Sequence, residues 1–439
     1  MVAEKLLLYS PEISPRLRYI ASHLINGMLG AGIEFSSDRE AAILAERPLI
    51  NYSPDPVPAA FNILPAGLLS ENRISPWPVD VETCGGIPVI FRSPRGGDAG
   101  FDILAASFYM LSRYEEYLPF EKDIHGRFPV SQSLAGRHGL AGEPLVELWA
   151  KELKEGILKK FPRAVFPERQ FRFIPTIDID VPWAYLNRNL RRTAGGFARS
   201  VLRGDLKEVR SRLRVLLNFD EDPFDAWQLM EKIHESAGLS PVFFFSAGTY
   251  SRFDKSPPLT NQQYRQLIKE IAGRHATGIH PSYYSAGDGN LMHREISLFR
   301  EVSGIPVCRS RQHYLRLEIP GTYRLLIENG ITDDYTMGWA EAPGFRAGTC
   351  TPFMFYDLGR EQATTLRIWP FQLMDGTFRD YMEVDPRQAS IIASDIVNKV
   401  RDAGGTLITL WHNESLTETG RWKNWKKLYL DIISASEND

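Results

Sequence analysis

The chain has 439 residues, 43% hydrophobic and 24% charged, a globular balance in a chain too long for one ordinary core. Two domains, or one large barrel with an added domain, are therefore expected. The formal net charge of −3 gives no overall pull towards nucleic acid or an anionic membrane, and three scattered cysteines suggest neither a disulfide framework nor a thiolate metal site.

The opening Met1-Val2-Ala3-Glu4 carries an acidic group and leads into only a short apolar run, unlike a secretory signal. No apolar stretch reaches the ~18 residues of a membrane span, so the cytoplasm is the default compartment, in keeping with the cysteine usage. Residues 1–168 mix short apolar runs with turn-rich segments such as 53–58 and 93–97, and 101–117 and 143–160 read as helices. This part is expected to form a smaller α/β or α+β domain without a chemical motif. Its segment from Arg113 to Tyr117 could face a partner domain, and His125 and His138 read as solvated loop residues.

From residue 169 to 439 short apolar runs alternate with amphipathic helices, the pattern of βα units on a parallel sheet. Strands are expected at 173–179, 241–246, 277–280, 305–308, 331–333, 366–371 and 407–411. Helical stripes fall at Tyr264, Leu267, Ile268 and Ile271 and at Met292, Ile296 and Phe299. Seven strands with interleaved helices predict a distorted (β/α)7 barrel, whose chemistry gathers where strands end.

The polar residues stand at those ends. Asp178 and Asp180 close the first strand on one face, and two close carboxylates repel unless a cation or a shared proton lies between them. Alone, such a pair reads as a turn or a helix cap. His280 ends the third strand, Arg311 and His313 follow the fourth, Asp333 and Asp334 the fifth, and His412 the seventh. Carboxylate oxygen with imidazole nitrogen suits Zn2+ and related divalent ions. His280 reads as a ligand and His412 as catalytic, while His313 fits either a ligand or a polar loop. His275 and His293 read as surface residues, and His23 and His234 as structural ones.

In this order the residues resemble the polysaccharide deacetylases of carbohydrate esterase family four, the NodB-homology proteins. The resemblance spans about residues 170–425 and is nearest to a bacterial branch with an extra N-terminal domain. From Thr176-Ile177-Asp178-Ile179-Asp180 it implies Asp178 as general base and Asp180 as metal ligand. Gly278-Ile279-His280 matches the first half of a His-x-x-x-His-Pro motif, but Tyr284 stands where the second histidine belongs. Arg311 fits the arginine that orients the catalytic aspartate, and His313 would restore the missing ligand from the neighbouring strand. Asp333-Asp334 with Trp339 resembles the groove-lining motif, and Leu407 to His412 the segment whose histidine protonates the leaving amine. Gly344-Phe345-Arg346-Ala347-Gly348 matches a segment that recurs in the branch.

The resemblance implies metal-dependent removal of acetyl groups from N-acetylated sugars of a polysaccharide or its precursor. It implies one divalent ion, Zn2+ first with Co2+ or Ni2+ as alternatives, and a carbohydrate partner; oligomeric state is left open. Trp183, Trp339, Phe345 and Tyr283 could stack on sugars or simply pack, and Arg346 could bind an anionic sugar or Asp375. Two rivals remain. A glycosyltransferase would hold a metal–nucleotide-sugar diphosphate at Asp178/Asp180 and leave the histidines unexplained. A degenerate barrel would bind glycan or scaffold an assembly without hydrolysis.

Overall fold

The computed structural model describes residues 5–93 and 96–437. The opening 1–4 and part of the turn-rich 93–97 lie outside the described residues.

Four short parallel strands, β1 (Lys5–Tyr9), β2 (Gly32–Ser36), β3 (Leu49–Tyr52) and β4 (Phe61–Ile63), form a sheet in the order β2-β1-β3-β4. β3 and β4 are buried along their whole length, as parallel strands covered on both faces must be. Helix Pro15–Ser22 starts where Ser14 accepts the Leu17 N–H, with a proline at its first position. Helix Ile103–Leu111 is buried at every residue and accordingly apolar nearly all round. A hairpin of β5 (Glu82–Cys84) and β6 (Ile87–Val89) and helix Leu145–Lys160 complete this part.

The rest builds on a nine-stranded sheet of β7 (Arg172–Ile179), β8 (Val242–Ser246), β9 (Ala276–His280), β10 (Arg309–Ser310), β11 (Asp333–Asp334), β12 (Phe353–Asp357), β13 (Gln362–Ile368), β14 (Leu373–Met374) and β15 (Thr406–His412). Its order is β12-β13-β11-β10-β9-β8-β7-β15-β14, parallel except for the β12–β13 pair. The fourth strand lies at 309–310 rather than 305–308, because Pro306 cannot donate to a ladder. The strands form one nine-stranded, largely parallel sheet, the α/β layer expected of a distorted (β/α)7 barrel, and no ladder joins the edges β12 and β14 among the described residues. The chain from β13 to β14 nonetheless straps the two flanks together. The Phe371 N–H donates to Met337 beyond β11 (3.0 Å), and the Gln372 N–H to Ile408 of β15 (3.0 Å).

The two sheets share one apolar core, which runs from Leu6 through Trp149 to Ile433. Polar contacts seal the junction. Glu116 accepts from both Arg113 (2.8 Å) and Arg346 (2.6 Å), all three buried, and Arg16 pairs with Glu361.

Candidate active site

β7 carries Asp178 to the sheet's carboxyl end, and register places it opposite His412 of β15 and Phe244 of β8. Asp178 is buried, and its Oδ1 accepts from Arg311 Nη1 at 2.8 Å. Arg311, fully buried just past β10, also donates from Nε to the Tyr335 carbonyl (3.0 Å). Its guanidinium carbon lies 4.6 Å from the Phe244 ring centroid, so the cation is held by charge, hydrogen bond and aromatic face together.

His280 is the last residue of β9, and its Nδ1 lies 2.6 Å from the Arg311 carbonyl oxygen. A carbonyl only accepts, so Nδ1 carries a proton and Nε2 is the nitrogen turned inward. That nitrogen is 3.3 Å from Asp180 Oδ1 and 3.8 Å from Asp178 Oδ2. The buried Asp180 Oδ1 has no hydrogen-bond partner among the described residues. An imidazole nitrogen thus faces carboxylate oxygen across a gap that a cation would satisfy.

His313 follows β10 and brings Nε2 to 3.4 Å from Asp180 Oδ2, while its Nδ1 donates to Asp254 Oδ1 at 2.9 Å. One donor atom each from Asp180, His280 and His313 lies within 4.8 Å of the others. Burial works to lower the His313 pKa, but Asp180 and Asp254 outweigh it and raise it to about 9. Burial likewise works to raise Asp180, which His313 and His280 hold well below the usual carboxylate range. The protonated ring brings in positive charge that a divalent ion would bring instead, and metal binding would displace that proton. Hard oxygen with two imidazoles, one backed by a carboxylate and one by a carbonyl, fits a divalent metal of the Zn2+ class.

His412 closes β15. Its Nδ1 donates to Asp375 Oδ1 (2.8 Å) and its backbone N–H to Asp375 Oδ2 (2.8 Å), so one carboxylate fixes both ring and main chain. Nε2 points at the same centre, 3.7 Å from Asp180 Oδ2. Burial would lower its pKa, but Asp375 foremost, with Asp180 and Asp178, raises it to about 10.

These groups floor a cleft of about 290 Å³, walled by Arg127, Phe253, Gln312, Tyr314, Tyr381 and Trp422 among others. Arg127 comes from the first part of the chain. It donates to the Tyr314 carbonyl (3.0 Å) and the Tyr381 hydroxyl (3.2 Å), while Arg316 returns a bond to the His125 carbonyl (2.9 Å). The stitched turn is strained: Tyr314 and Leu315, directly after His313, have φ of 57° and 54°.

Several expected positions lie elsewhere. The Arg346 guanidinium pairs with Glu116 in the buried junction rather than with Asp375. Trp339 is buried between Arg113 and Arg346, 5.6 and 5.3 Å from its ring centroid. Tyr283 stacks behind Phe253 (centroids 3.8 Å apart), with its hydroxyl 3.2 Å from His125 Nδ1, so it backs the cleft wall without lining it. His125 is thereby half-buried against Tyr283 rather than free in a loop. Asp334 accepts from Ser310 and Thr336 beneath the sheet, and Asp333 from Trp369, so this pair braces strands rather than lining a groove. Asp254, Arg127 and Gln312 belong to the site without being singled out by the sequence, and Asp375, expected only as a partner for Arg346, holds His412 instead. Asp375 had a signal, since it follows an apolar run as the other site residues do.

A family model described as a family of unknown function, DUF7033, matches residues 6–162. Comparison with curated proteins gives no match. Among solved structures the chain is similar to one assigned as a polysaccharide deacetylase from Mycobacterium smegmatis, at 15% identity and a TM-score of 0.40, covering 62% of this chain and 86% of that one. It is also similar to a polysaccharide deacetylase from Bacillus cereus (14%, TM-score 0.27, 61% and 87% covered). A third likeness is to the 4-alpha-glucanotransferase from Thermococcus litoralis (16%, TM-score 0.36, 62% and 38% covered). Likenesses this distant leave the chemistry to be read from the side chains.

Proposed function

We propose that the protein is a metal-dependent hydrolase that removes acetyl groups from N-acetylated sugars of a polysaccharide or its precursor. The observation that carries this reading is one cleft with three parts: the Asp180/His280/His313 donor cluster, Asp178 held by Arg311, and His412 held by Asp375. With it goes a division into an N-terminal unit over residues 1–168 and a catalytic unit over 169–439.

When bound at Asp180, His280 and His313, a divalent ion, Zn2+ first with Co2+ or Ni2+ as alternatives, would polarise the amide carbonyl and acidify water. Asp178 is the general base. Arg311 occupies its Oδ1, which leaves Oδ2 facing the cleft to accept a water proton. His412 is the general acid. With Nδ1 committed to Asp375, its raised pKa keeps Nε2 protonated at neutral pH, ready to donate to the departing amine. Each proton transfer of this kind is worth about 10²–10⁴-fold. A glycosyltransferase would leave both His–Asp pairs without a task.

Metal content and acetate release from N-acetylated chito-oligosaccharides test the reading. Expected are one Zn2+, Co2+ or Ni2+ per chain, lost on His280→Ala, and turnover abolished by Asp178→Asn. A chain that takes up no metal at any pH and releases no acetate would overturn it in favour of a degenerate, binding-only site.

A further inference from the structure

Residues 187–220 carry nine Lys/Arg and three Asp/Glu, a net of +6 in a chain whose formal net charge is −3. The charge is gathered on two helices, Leu190–Leu202 and Leu206–Leu216, capped by Asn189 and Asp205 and joined through Gly204 at φ +68°. A surface helix ordinarily turns its apolar stripe to the core. Here much of the apolar surface is left outside. The only buried residue of the first helix is Ser200, and the second buries Arg212 and Val215. Gly196 lies against the Arg212 guanidinium so closely that a Cβ there would come within 2.5 Å of Nη1. Meanwhile Leu190, Leu202, Leu206 and Phe219 are 88%, 87%, 73% and 69% exposed, and Leu217 stands out beside them. Arg191, Arg199, Arg203, Lys207 and Arg210 flank that face, exposed and without an ion-pair partner among the described residues.

We infer that this helical hairpin docks on an anionic membrane surface. Its leucines and phenylalanine enter the headgroup–acyl boundary, and its cations reach the lipid phosphates on long apolar stems. Whole-chain charge hides the feature because the remainder is acidic. A second copy is a poor occupant, since it would press +6 against +6, whereas anionic headgroups complement the charge.

The hairpin is held rigidly enough to orient the molecule. Buried Asp222 accepts the N–H groups of Ala184 (2.6 Å), Tyr185 (2.7 Å), Leu186 (3.0 Å) and Phe224 (3.0 Å), clamping both ends. Arg192 donates to the Lys255 carbonyl (2.8 Å) and lies 4.0 Å over the Tyr250 ring. Lys255 lines the cleft. Docking therefore sets the cleft mouth beside the bilayer, within reach of a membrane-held glycan; this last consequence rests on the deacetylase reading.

Co-sedimentation of the full chain with vesicles tests the docking without turnover, so its failure is separate from failure of the hydrolase assignment. Vesicles of phosphatidylcholine alone are compared with equal parts phosphatidylcholine and phosphatidylglycerol. Binding is expected to the anionic vesicles, weakening as salt is raised. The double variants Leu202→Asp/Leu206→Asp and Arg199→Gln/Arg203→Gln, all at exposed positions, should each lose about ten-fold in binding with circular dichroism unchanged. Failure of the full chain to bind anionic vesicles, or unchanged binding by both variants, overturns the inference. A lipid-free dimer dissolved by the Leu→Asp pair would reassign the face to a second copy. Retention on polyglutamate that is indifferent to the Leu→Asp pair would reassign it to an acidic protein.

Discussion

Asp254 accepts a 2.9 Å hydrogen bond from Nδ1 of His313, 59 residues further along the chain, and so turns Nε2 of that ring towards Asp180. The same carboxylate accepts from Ser251 Oγ (2.7 Å) and the Tyr283 N–H (2.9 Å), which ties the loop after β8 to the donor cluster. His313 follows a different strand from the one that His280 ends, and its aim depends on this partner. Asp254→Asn keeps the shape but loses the charge and risks the wrong tautomer. Metal affinity should fall about 10–100-fold by competition against a chelating dye. An unchanged affinity would mean that Asp254 only staples the loop.

Arg127 acts on the other side of the same histidine. Its bonds to Tyr314 and Tyr381 brace two consecutive residues at positive φ, a conformation that non-glycine residues hold only when neighbours enforce it. Arg127→Met should relax the turn and misplace His313, lowering kcat/KM about 10²-fold, with metal affinity falling too. Arg127→Lys should recover part of both, because a single donor can still reach the Tyr314 carbonyl. Loss of thermal stability with normal metal binding would instead mark Arg127 as a purely structural tie.

Six residues met in this cleft, Asp178, Asp180, His280, Arg311, His313 and His412, because each stands at or just past the carboxyl end of a strand of one sheet. That much is legible in sequence, since an apolar run broken by a polar residue marks a strand end. Asp254 is not legible, because no ladder or spacing ties its loop to His313. Arg127 is not legible either, since it arrives from the part of the chain that carries the other sheet. The surroundings of Trp339 and Arg346 are not legible for a related reason. A polar or aromatic residue in a loop looks available until the tertiary fold brings Arg113 and Glu116 against it. Sequence periodicity shows which residues turn inward on an element, and not which element will cover them.

Asp375 sets the protonation of His412. The His412 pKa is raised from its usual 6.5 to about 10, with burial opposing and Asp375 the largest favourable influence. Asp375→Asn removes that charge, so the pKa falls and the alkaline limb of kcat/KM should move to lower pH. The linkage sign follows. In the metal-free protein a raised histidine pKa stabilises the fold fully below about pH 6.5 and is lost as pH rises towards 10. The Tm of the wild type should therefore drop across that window, and that of Asp375→Asn should drop less. An alkaline limb that does not move would remove His412 from the role of acid.

Arg346 separates a binding role from a structural one. Its guanidinium meets Glu116 at 2.6 and 3.0 Å, both side chains are buried, and Arg113 completes the cluster at 2.8 Å. Burial would raise the Glu116 pKa, but Arg346 and Arg113 outweigh it and hold the carboxyl below its usual range, so it is ionised at neutral pH. Arg346→Ala leaves that charge with Arg113 alone at the junction of the two sheets, and removing one partner of a buried pair costs up to about 3–5 kcal/mol. The urea midpoint should fall accordingly, while the KM of the remaining folded enzyme stays near normal. Adding Glu116→Gln to Arg346→Met removes both charges and should recover much of the loss. A raised KM at unchanged stability would return Arg346 to the substrate.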